Sequence, residues 1–334
     1  MQINCPHCKK TYTISEERAK KFGEHIVFLC TACKGKIEID LHEKPLQTSS
    51  GPAAPSESAG DALKKKILNA LQDLQPMPQV AQQARKVMAE KNSTFSDIAR
   101  VIETDQAIAA RVLKLANSSY YGIMGKVSSI QHASVVLGIK TLNQLLEIVC
   151  AEKFLGSKLD GYGMASGDLW RHSLAVAGCS RAIAKKRNAG TTDDAFSAGL
   201  LHDCGKLILD RHIYERKALF QNSMKEGQKT FLAAEVDILG FDHARIGAEV
   251  CEKWGIAKRM GSAIQFHHRP SLARYNELAY IIHAADAIVR MSGMDETVYQ
   301  IDEEVVRFLK LDRVQINMFM HEAHDYAAKT IGAL

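Results

Sequence analysis

Apolar residues recur at helical spacing through most of the chain. Ile108, Val112 and Leu115 fall at positions i, i+4 and i+7, which lines one face of an α-helix. No proline interrupts residues 79–269, and no alternating stretch typical of a strand occurs beyond residue 45. The pattern therefore predicts an all-α domain over most of the chain.

Capping residues mark where several helices begin and end. Thr94 stands three residues before Asp97, which is the spacing of a capping box, and Asp105 and Thr141 precede apolar runs as helix starts do. Glycines fall where helices have to end, because C-cap positions favour a residue that tolerates positive φ. They are Gly122, Gly125, Gly138, Gly190 and Gly240.

A segment without large apolar side chains divides the chain. Residues 47–60 read QTSSGPAAPSESAG, a composition that buries too little surface to order itself. We therefore predict a flexible linker over residues 44–61, after a small domain at residues 1–43 and before a helical domain at residues 62–290. Residues 291–334 continue the helical pattern and are predicted to form a C-terminal helical extension.

The eight cysteines are distributed unequally. Two C-x-x-C pairs, Cys5 with Cys8 and Cys30 with Cys33, lie near the N-terminus. Four thiolates at this spacing suit tetrahedral Zn²⁺, and so small a module needs the metal for much of its stability. Disulfide bonds or a redox C-x-x-C motif are the alternatives, which two matched pairs in a cytosolic chain disfavour. The other four are predicted to be small buried apolar residues. They are Cys150, Cys179, Cys204 and Cys251.

Two strand-like stretches accompany the cysteine pairs. Residues 26–29 lead into the second pair, and residues 37–41 alternate as a strand does. Up to His42 the segment holds seven Lys or Arg against five Asp or Glu, so it lacks the basic excess of a DNA-binding arm. We predict a small β-rich zinc ribbon that serves as a protein-contact module or as a folded end-cap. It is similar to the short N-terminal zinc ribbons of bacterial regulatory proteins.

Charge and hydropathy exclude several classes of protein. The net charge is +5, from 43 Lys and Arg against 38 Asp and Glu, and the basic runs are short. Such runs are typical of solvated helix faces, which argues against nucleic acid as a partner. No apolar run reaches the length of a membrane span, and the N-terminus lacks signal-peptide features. We therefore predict no membrane contact and a cytoplasmic location.

Imidazoles and carboxylates stand in five otherwise apolar helical segments. The residues are His172, His202, Asp203, His243, His267, His268 and Asp286. Gly205 would end a helix beside His202 and Asp203, so that two adjacent side chains could address one site. Such ligands suit one or two divalent transition-metal ions, which activate water and clamp a phosphoryl oxygen. Lys206 would then meet the phosphate charge.

A second interpretation applies to any single histidine of this kind. A histidine on an apolar face is more often a hydrogen-bonded core residue than a metal ligand. We adopt this interpretation for four residues outside the set above. They are His132, His212, His283 and His321.

Specific motifs accompany the histidines and aspartates. They are LQPMP at residues 74–78, LANSSYYG at 115–122, SSI at 128–130, LGIKTL at 137–142, LLHDCGK at 200–206 and GFDHA at 240–244. In this order they resemble the HDOD domain, the HD-related output domain of bacterial signalling proteins. HDOD domains are related to the HD and HD-GYP metal-dependent phosphohydrolases. The resemblance covers residues 74–286 and implies an all-α helical bundle of the HD superfamily, preceded here by the zinc ribbon.

The resemblance has implications for activity. All the ligand positions of the HD-type site carry candidate ligands, whereas HDOD domains are generally regarded as regulatory modules without established hydrolase activity. The chain departs from the HD-GYP type because it has no Gly-Tyr-Pro motif and because Arg269 stands where an acidic residue follows His267 and His268. These departures argue against hydrolysis of cyclic di-GMP.

One segment could also be a DNA-binding motif. Residues 129–148 resemble a helix-turn-helix broken at Gly138. Because Lys140 is the only cation between residues 128 and 150, the segment lacks a basic recognition helix. We predict that it is a buried helical hairpin.

The sequence supports three functions in descending order. The first is a bacterial signal-transduction output protein that binds a signalling partner or a nucleotide second messenger, with the ribbon as a second contact module. The second is a metal-dependent phosphohydrolase with Asp203 and Lys206 as catalytic residues. In that case His172, His202, Asp203 and Asp286 would hold one ion, and His243, His267 and His268 would hold another. The third is a DNA-associated regulator acting through the ribbon.

Overall fold

The chain divides into two compact units, residues 1–56 and residues 57–334. The structure is a computed structural model. It describes residues 2–4, 11–13, 25–29, 36–40, 63, 65–67, 69, 78–90, 92–123, 125–187, 189–227, 229–273, 276–291 and 301–334.

The described residues of the first unit form four short strands in two antiparallel pairs. Strand β1 (Gln2–Asn4) pairs with β2 (Thr11–Thr13), and β3 (His25–Leu29) pairs with β4 (Lys36–Asp40). The β3–β4 register places Val27 opposite Glu38. The four cysteines of the predicted ribbon and the predicted linker lie outside the described residues, so the Zn²⁺ site and the domain boundaries stay predictions.

The described residues of the second unit are helical, as predicted, apart from turns and one isolated bridge between Leu159 and Met164. The first helices are α1 (Gln79–Ala89), α2 (Phe95–Ile102), α3 (Gln106–Ala116), α4 (Ile130–Leu155), α5 (Asp168–Arg187), α6 (Thr192–Leu201) and α7 (Lys206–Tyr214). The chain continues through α8 (Lys217–Gly227), α9 (Phe231–Leu239), α10 (His243–Lys253), α11 (Lys258–Gln265), α12 (Glu277–Met291), α13 (Glu303–Leu309) and α14 (Arg313–Ala333). Short 3-10 helices occupy Ala189–Thr191 and Pro270–Ala273.

Local capping chemistry sets several helix boundaries. Thr94 and Asp97 form the predicted capping box at the start of α2, and the Asp105 carboxylate accepts from the first backbone N–H groups of α3. Gly240 ends α9 with φ of 89°, which a side chain would disfavour. A helix also begins close to Thr141, but this residue lies in the first turn after the break at Gly138 rather than at the cap.

Helix α4 consists of two helical segments that meet at Gly138, where φ is 79° and ψ is 160°. The predicted break between two helices is present, but the first segment is only partly buried. Val135 and Val136 are 61% and 46% exposed in the first part of the helix. The second part is buried around Leu145. The non-helical φ and ψ of one glycine are enough to interrupt the regular helix.

The core is centred on α5, which packs against α6, α12 and α14. Tyr326 of α14 is 2% exposed and lies against Gly178 of α5, where an added Cβ would come within 2.5 Å of the ring. The C-terminal helix is therefore part of this core. The four scattered cysteines are free and buried, as predicted.

Among the described residues, α4 is the single helix long and apolar enough to cross a membrane. Just over half of its apolar window, 56%, is buried within the unit. Such burial is typical of a core helix, because a helix that is apolar on all sides packs in the interior of a domain.

Candidate metal centre

Five helix faces and ends deliver the candidate ligands to one place. Helix α5 carries His172, and α12 carries Asp286. His202 and Asp203 follow α6, His243 opens α10, and His267 and His268 follow α11. All seven side chains predicted from the sequence therefore lie within one cluster, which we call the His/Asp cluster.

Two glycines allow the elements to approach so closely. A Cβ on Gly199 of α6 would lie 2.7 Å from the Ser180 hydroxyl of α5. A Cβ on Gly205 would overlap the carbonyl oxygen of His243 and lie 2.6 Å from the backbone nitrogen of Gly247. Without side chains at these positions, α5 and α10 reach the turn that carries His202 and Asp203.

Asp203 lies at the centre of the cluster and is fully buried. Its Oδ2 is 3.3 Å from Nε2 of His202 and 3.7 Å from Nε2 of His172. Its Oδ1 is 3.1 Å from Nε2 of His243. Asp286 Oδ1 approaches His172 Nε2 at 2.9 Å and His202 Nε2 at 3.6 Å. The two carboxylates thus share the same imidazoles.

Two of the imidazoles are oriented by backbone carbonyls. Nδ1 of His202 donates to Gly199 O at 2.8 Å, and Nδ1 of His267 donates to Ile264 O at 2.7 Å. Second-sphere bonds of this kind orient the rings of metal-binding histidines and leave Nε2 facing the metal.

Several buried polar atoms of the cluster make no hydrogen bond of good geometry, although two of them lie close to a group of opposite charge. They are Nε2 of His172, His202 and His267, and Oδ1 of Asp203. Buried polar atoms without partners are rare and call for an explanation such as an ion. Three sets of three ligand atoms, each set within 4.8 Å, could hold one. They are His172 with His202 and Asp203, His202 with His267 and Asp286, and His243 with His267 and His268. The donor chemistry therefore fits one or two divalent transition-metal ions.

Two cations already lie inside the cluster. Lys206 Nζ donates to Asp203 Oδ2 at 2.7 Å, and Lys206 is 7% exposed. Arg290 Nε donates to Asp286 Oδ1 at 2.7 Å, while its Nη2 lies 3.6 Å from Asp203 Oδ2. The lysine expected to face a phosphate thus pairs with a candidate ligand.

Burial and neighbouring charges shift the pKa values of these groups in different directions. Burial alone would raise the pKa of Asp203, but the charges of His202 and Lys206 hold that pKa well below its ordinary value. Burial opposes a charge on His202, yet the Asp203 carboxylate raises its pKa to about 9. Burial and neighbouring imidazoles lower the pKa of His267 to about 3 and that of His268 well below its usual value. His267 and His268 are therefore neutral, the form that binds metal.

Three residues of the site were not predicted from the sequence. Glu235 of α9 is fully buried and accepts from Nδ1 of His243 at 2.7 Å. Tyr162 donates to Glu235 at 2.6 Å. Arg290 stands four residues after Asp286, a spacing that places two helical side chains together and could have indicated it. Glu235 is itself a charged residue in the largely apolar sequence of α9, which could likewise have indicated it.

The histidines assigned to the core have different environments. His212 is buried, and Nδ1 of His283 donates to His267 O at 2.8 Å. His132 and His321 are exposed, so their assignment to the core is wrong. Both side chains lie on exposed positions of their helices, α4 and α14.

Comparison with known proteins identifies the family. The model of the HDOD domain matches residues 74–270, which is more than half of the chain. The chain belongs to the HDOD domain family. Solved structures with the same fold include a candidate phosphohydrolase from Shewanella amazonensis SB2B, at 24% identity and a TM-score of 0.64. The match covers 80% of this chain and 97% of that chain.

Two further solved structures and one curated relative extend the comparison. An HDOD domain protein of unknown function from Geobacter sulfurreducens shares 20% identity, with a TM-score of 0.62 over 81% of this chain and 92% of that chain. A candidate signal transduction protein from Marinobacter aquaeolei VT8 shares 22% identity, with a TM-score of 0.62 over 84% of this chain and 66% of that chain. An uncharacterized protein of Treponema pallidum (strain Nichols) is 23% identical over 76% of this chain. The chain spans about half the length of that relative, 49%.

Proposed function

We propose that this HDOD protein is a regulatory output component of bacterial signal transduction. In this proposal the His/Asp cluster holds a divalent ion, and the helical unit binds a signalling partner or a nucleotide second messenger. His172, His202, Asp203 and Asp286 would hold one ion, and His243, His267 and His268 offer a second site. An ion would neutralise the carboxylates and fix the relative positions of α5, α10 and α12.

The observation that favours regulation is the enclosure of the cluster. Catalytic metal sites keep an open coordination position for water and substrate. Here His202, Asp203 and His267 have no exposed surface, and His172 has a side-chain exposure of 17%. The buried Lys206 and the partly exposed Arg290 already pair with the two carboxylates. A phosphate ester would have to displace these groups before it could reach an ion.

Hydrolysis is the second candidate function, and the unpartnered Nε2 atoms favour it. An ion on these nitrogens would supply a Lewis acid and an activated water. Lys206 would have to leave Asp203 to bind a phosphate oxygen. The Shewanella amazonensis neighbour is described as a candidate phosphohydrolase, whereas the Marinobacter aquaeolei neighbour is described as a candidate signal transduction protein. The descriptions of these two neighbours are thus compatible with both candidate functions.

The N-terminal unit completes the proposal. A Zn²⁺ ribbon built on Cys5, Cys8, Cys30 and Cys33 would serve as the second contact module, and the protein would act in the cytoplasm. DNA binding through the ribbon is the weakest alternative. It would have a steep dependence on salt concentration, because lysine and arginine contacts to phosphates release counterions.

A hydrolysis assay separates the two leading functions. The full-length chain, loaded with Mn²⁺, is offered bis(p-nitrophenyl) phosphate and cyclic di-GMP, with His202→Ala as the matched variant. Regulation predicts equal background rates for the two proteins. Turnover that His202→Ala abolishes would replace the regulatory proposal with the phosphohydrolase. Calorimetric titration of the same samples with cyclic di-GMP tests whether a nucleotide is the bound messenger.

A further inference from the structure

Glu235 is a buried carboxylate beside the His/Asp cluster but outside its predicted ligands. It has no exposed surface. Its Oε2 accepts from the backbone nitrogen of His243 at 2.9 Å and from Nδ1 of the same residue at 2.7 Å. Its Oε1 accepts from the Tyr162 hydroxyl at 2.6 Å. The left-handed Gly240 reverses the chain between α9 and α10 and brings Glu235 beside His243.

The other side of the His243 ring faces the cluster. Nε2 of His243 is 3.1 Å from Asp203 Oδ1 and 2.9 Å from Nε2 of His268. A histidine whose Nδ1 donates to a carboxylate presents Nε2 in a fixed direction and is a stronger metal ligand. Glu235 therefore determines where His243 points.

Tyr162 holds Glu235 from the opposite side. It lies between the bridged residues Leu159 and Met164, and Asp210 accepts from the backbone nitrogens of Gly161 and Tyr162 at 2.8 and 3.3 Å. Burial and the Glu235 charge raise the pKa of Tyr162 well above its ordinary value. The hydroxyl therefore keeps its proton and donates to Glu235.

The Tyr162 ring also covers a cation of the cluster. Lys206 Nζ lies 5.5 Å from the centre of the ring, within the range of a cation–π contact. The loop that carries Tyr162 thus contacts the cluster through two routes, one to His243 by way of Glu235 and one to Asp203 by way of Lys206. Neither Tyr162 nor Glu235 belongs to the three sets of ligand atoms that could hold an ion.

We propose that Glu235 is a positioning residue that orients His243 for divalent-ion binding, and that Tyr162 braces Glu235. This inference rests on the ion-binding part of the proposed function. A purely structural role for Glu235 would need only its bond to the backbone nitrogen of His243, which caps the turn into α10. The two roles differ in what a substitution changes: the affinity for the ion, or the stability of the metal-free fold.

Mn²⁺ titration followed by electron paramagnetic resonance distinguishes these roles. Mn²⁺ prefers oxygen and imidazole ligands over thiolates, so the predicted ribbon contributes little to its binding by the full-length chain. Glu235→Gln keeps the shape, removes the charge and replaces one of the two acceptor oxygens with an NH2 donor. We expect its dissociation constant for Mn²⁺ to rise by roughly 10–100-fold, with a smaller rise for Tyr162→Phe.

Two control variants match these substitutions. Glu249→Gln removes an exposed charge from the same helix as His243. Tyr280→Phe removes a Tyr–Glu hydrogen bond of 2.8 Å, to Glu304. Both are expected to bind Mn²⁺ like the wild type. Thermal melting of each metal-free protein reports whether the fold is retained.

The outcomes separate the failure of this inference from that of the proposed function. Wild-type affinity in Glu235→Gln, with or without a lower melting temperature, overturns the positioning role and leaves ion binding intact. If Glu235→Gln does not fold, Tyr162→Phe decides, and wild-type affinity in that variant overturns the inference. A wild-type chain that binds no Mn²⁺ overturns both the inference and the ion-binding part of the function.

Discussion

Lys206 donates a 2.7 Å hydrogen bond to Asp203, and both side chains are buried. The positive charge therefore lies inside the His/Asp cluster rather than at its mouth. Arg290 compensates Asp286 in the same way. Because an uncompensated buried carboxylate is costly, these two cations allow the cluster to stay folded without an ion.

Removal of the Lys206 charge should destabilise the metal-free protein. In Lys206→Met, Asp203 loses its nearest cation, and we expect the free energy of unfolding to fall by about 3 kcal/mol. Chemical denaturation in the presence of a chelator measures the change. Lys229→Met is the control, because Lys229 pairs with Asp237 on the surface, and it should cost less than about 1 kcal/mol. Equal losses in the two variants would contradict this account of the cluster.

Arg290 should compete with a divalent ion for the carboxylates. Its guanidinium lies against both Asp286 and Asp203, so its charge repels a bound cation. We expect Arg290→Gln to bind Mn²⁺ about tenfold more tightly, although the metal-free variant should be less stable. Arg187→Gln, which removes an arginine pair with Glu277, is the control. Weaker Mn²⁺ binding by Arg290→Gln would show that the arginine supports the ion site.

Gly205 should tolerate no side chain. In Gly205→Ala the new Cβ would overlap the His243 carbonyl and force α10 away from Asp203. We expect a loss of at least about 3 kcal/mol in unfolding free energy, together with weaker Mn²⁺ binding. Gly332→Ala has open space around its Cβ and should be neutral or up to about 1 kcal/mol more stable. Wild-type stability of Gly205→Ala would contradict the close packing described for this turn.

The C-terminal helix should be essential for the stability of the helical unit. The ring of Tyr326 packs on Gly178, and the guanidinium carbon of Arg181 lies 4.6 Å from its centre. Tyr326→Ala should lower the free energy of unfolding by about 3–5 kcal/mol. Val314→Ala on the same helix is the control, because Val314 is 77% exposed, and it should change stability by less than about 0.5 kcal/mol. A small effect of Tyr326→Ala would contradict this prediction and indicate that the stability of the helical unit does not depend on α14.

Local sequence signals predicted much of the helical unit. The capping box at Thr94 and the glycine stop at Gly240 involve residues a few positions apart, so their chemistry is visible in the sequence. Thr141 shows the limit of such signals, since the second segment of α4 begins directly after Gly138 and Thr141 lies in its first turn. Helix existence was predictable, whereas individual boundaries depended on packing.

The candidate site was partly accessible from the sequence. Motifs such as LLHDCGK indicated the ligands, because they hold several chemical groups in a short stretch. Tyr162 and Glu235 lie 73 residues apart and act on a third residue, so no local pattern joins them. The pairing of Lys206 with Asp203 was also missed, although the two are three residues apart, because the choice between carboxylate and phosphate depends on burial.

Metal content tests the central claim most directly. The full-length chain with Cys5→Ser, Cys8→Ser, Cys30→Ser and Cys33→Ser lacks the predicted ribbon ligands, so any bound metal belongs to the helical unit. We predict that this variant retains a divalent ion after dialysis and that added His202→Ala and His267→Ala substitutions remove it. A folded quadruple variant that binds no metal, even when divalent ions are supplied in excess, would contradict the assignment of the His/Asp cluster as a metal centre.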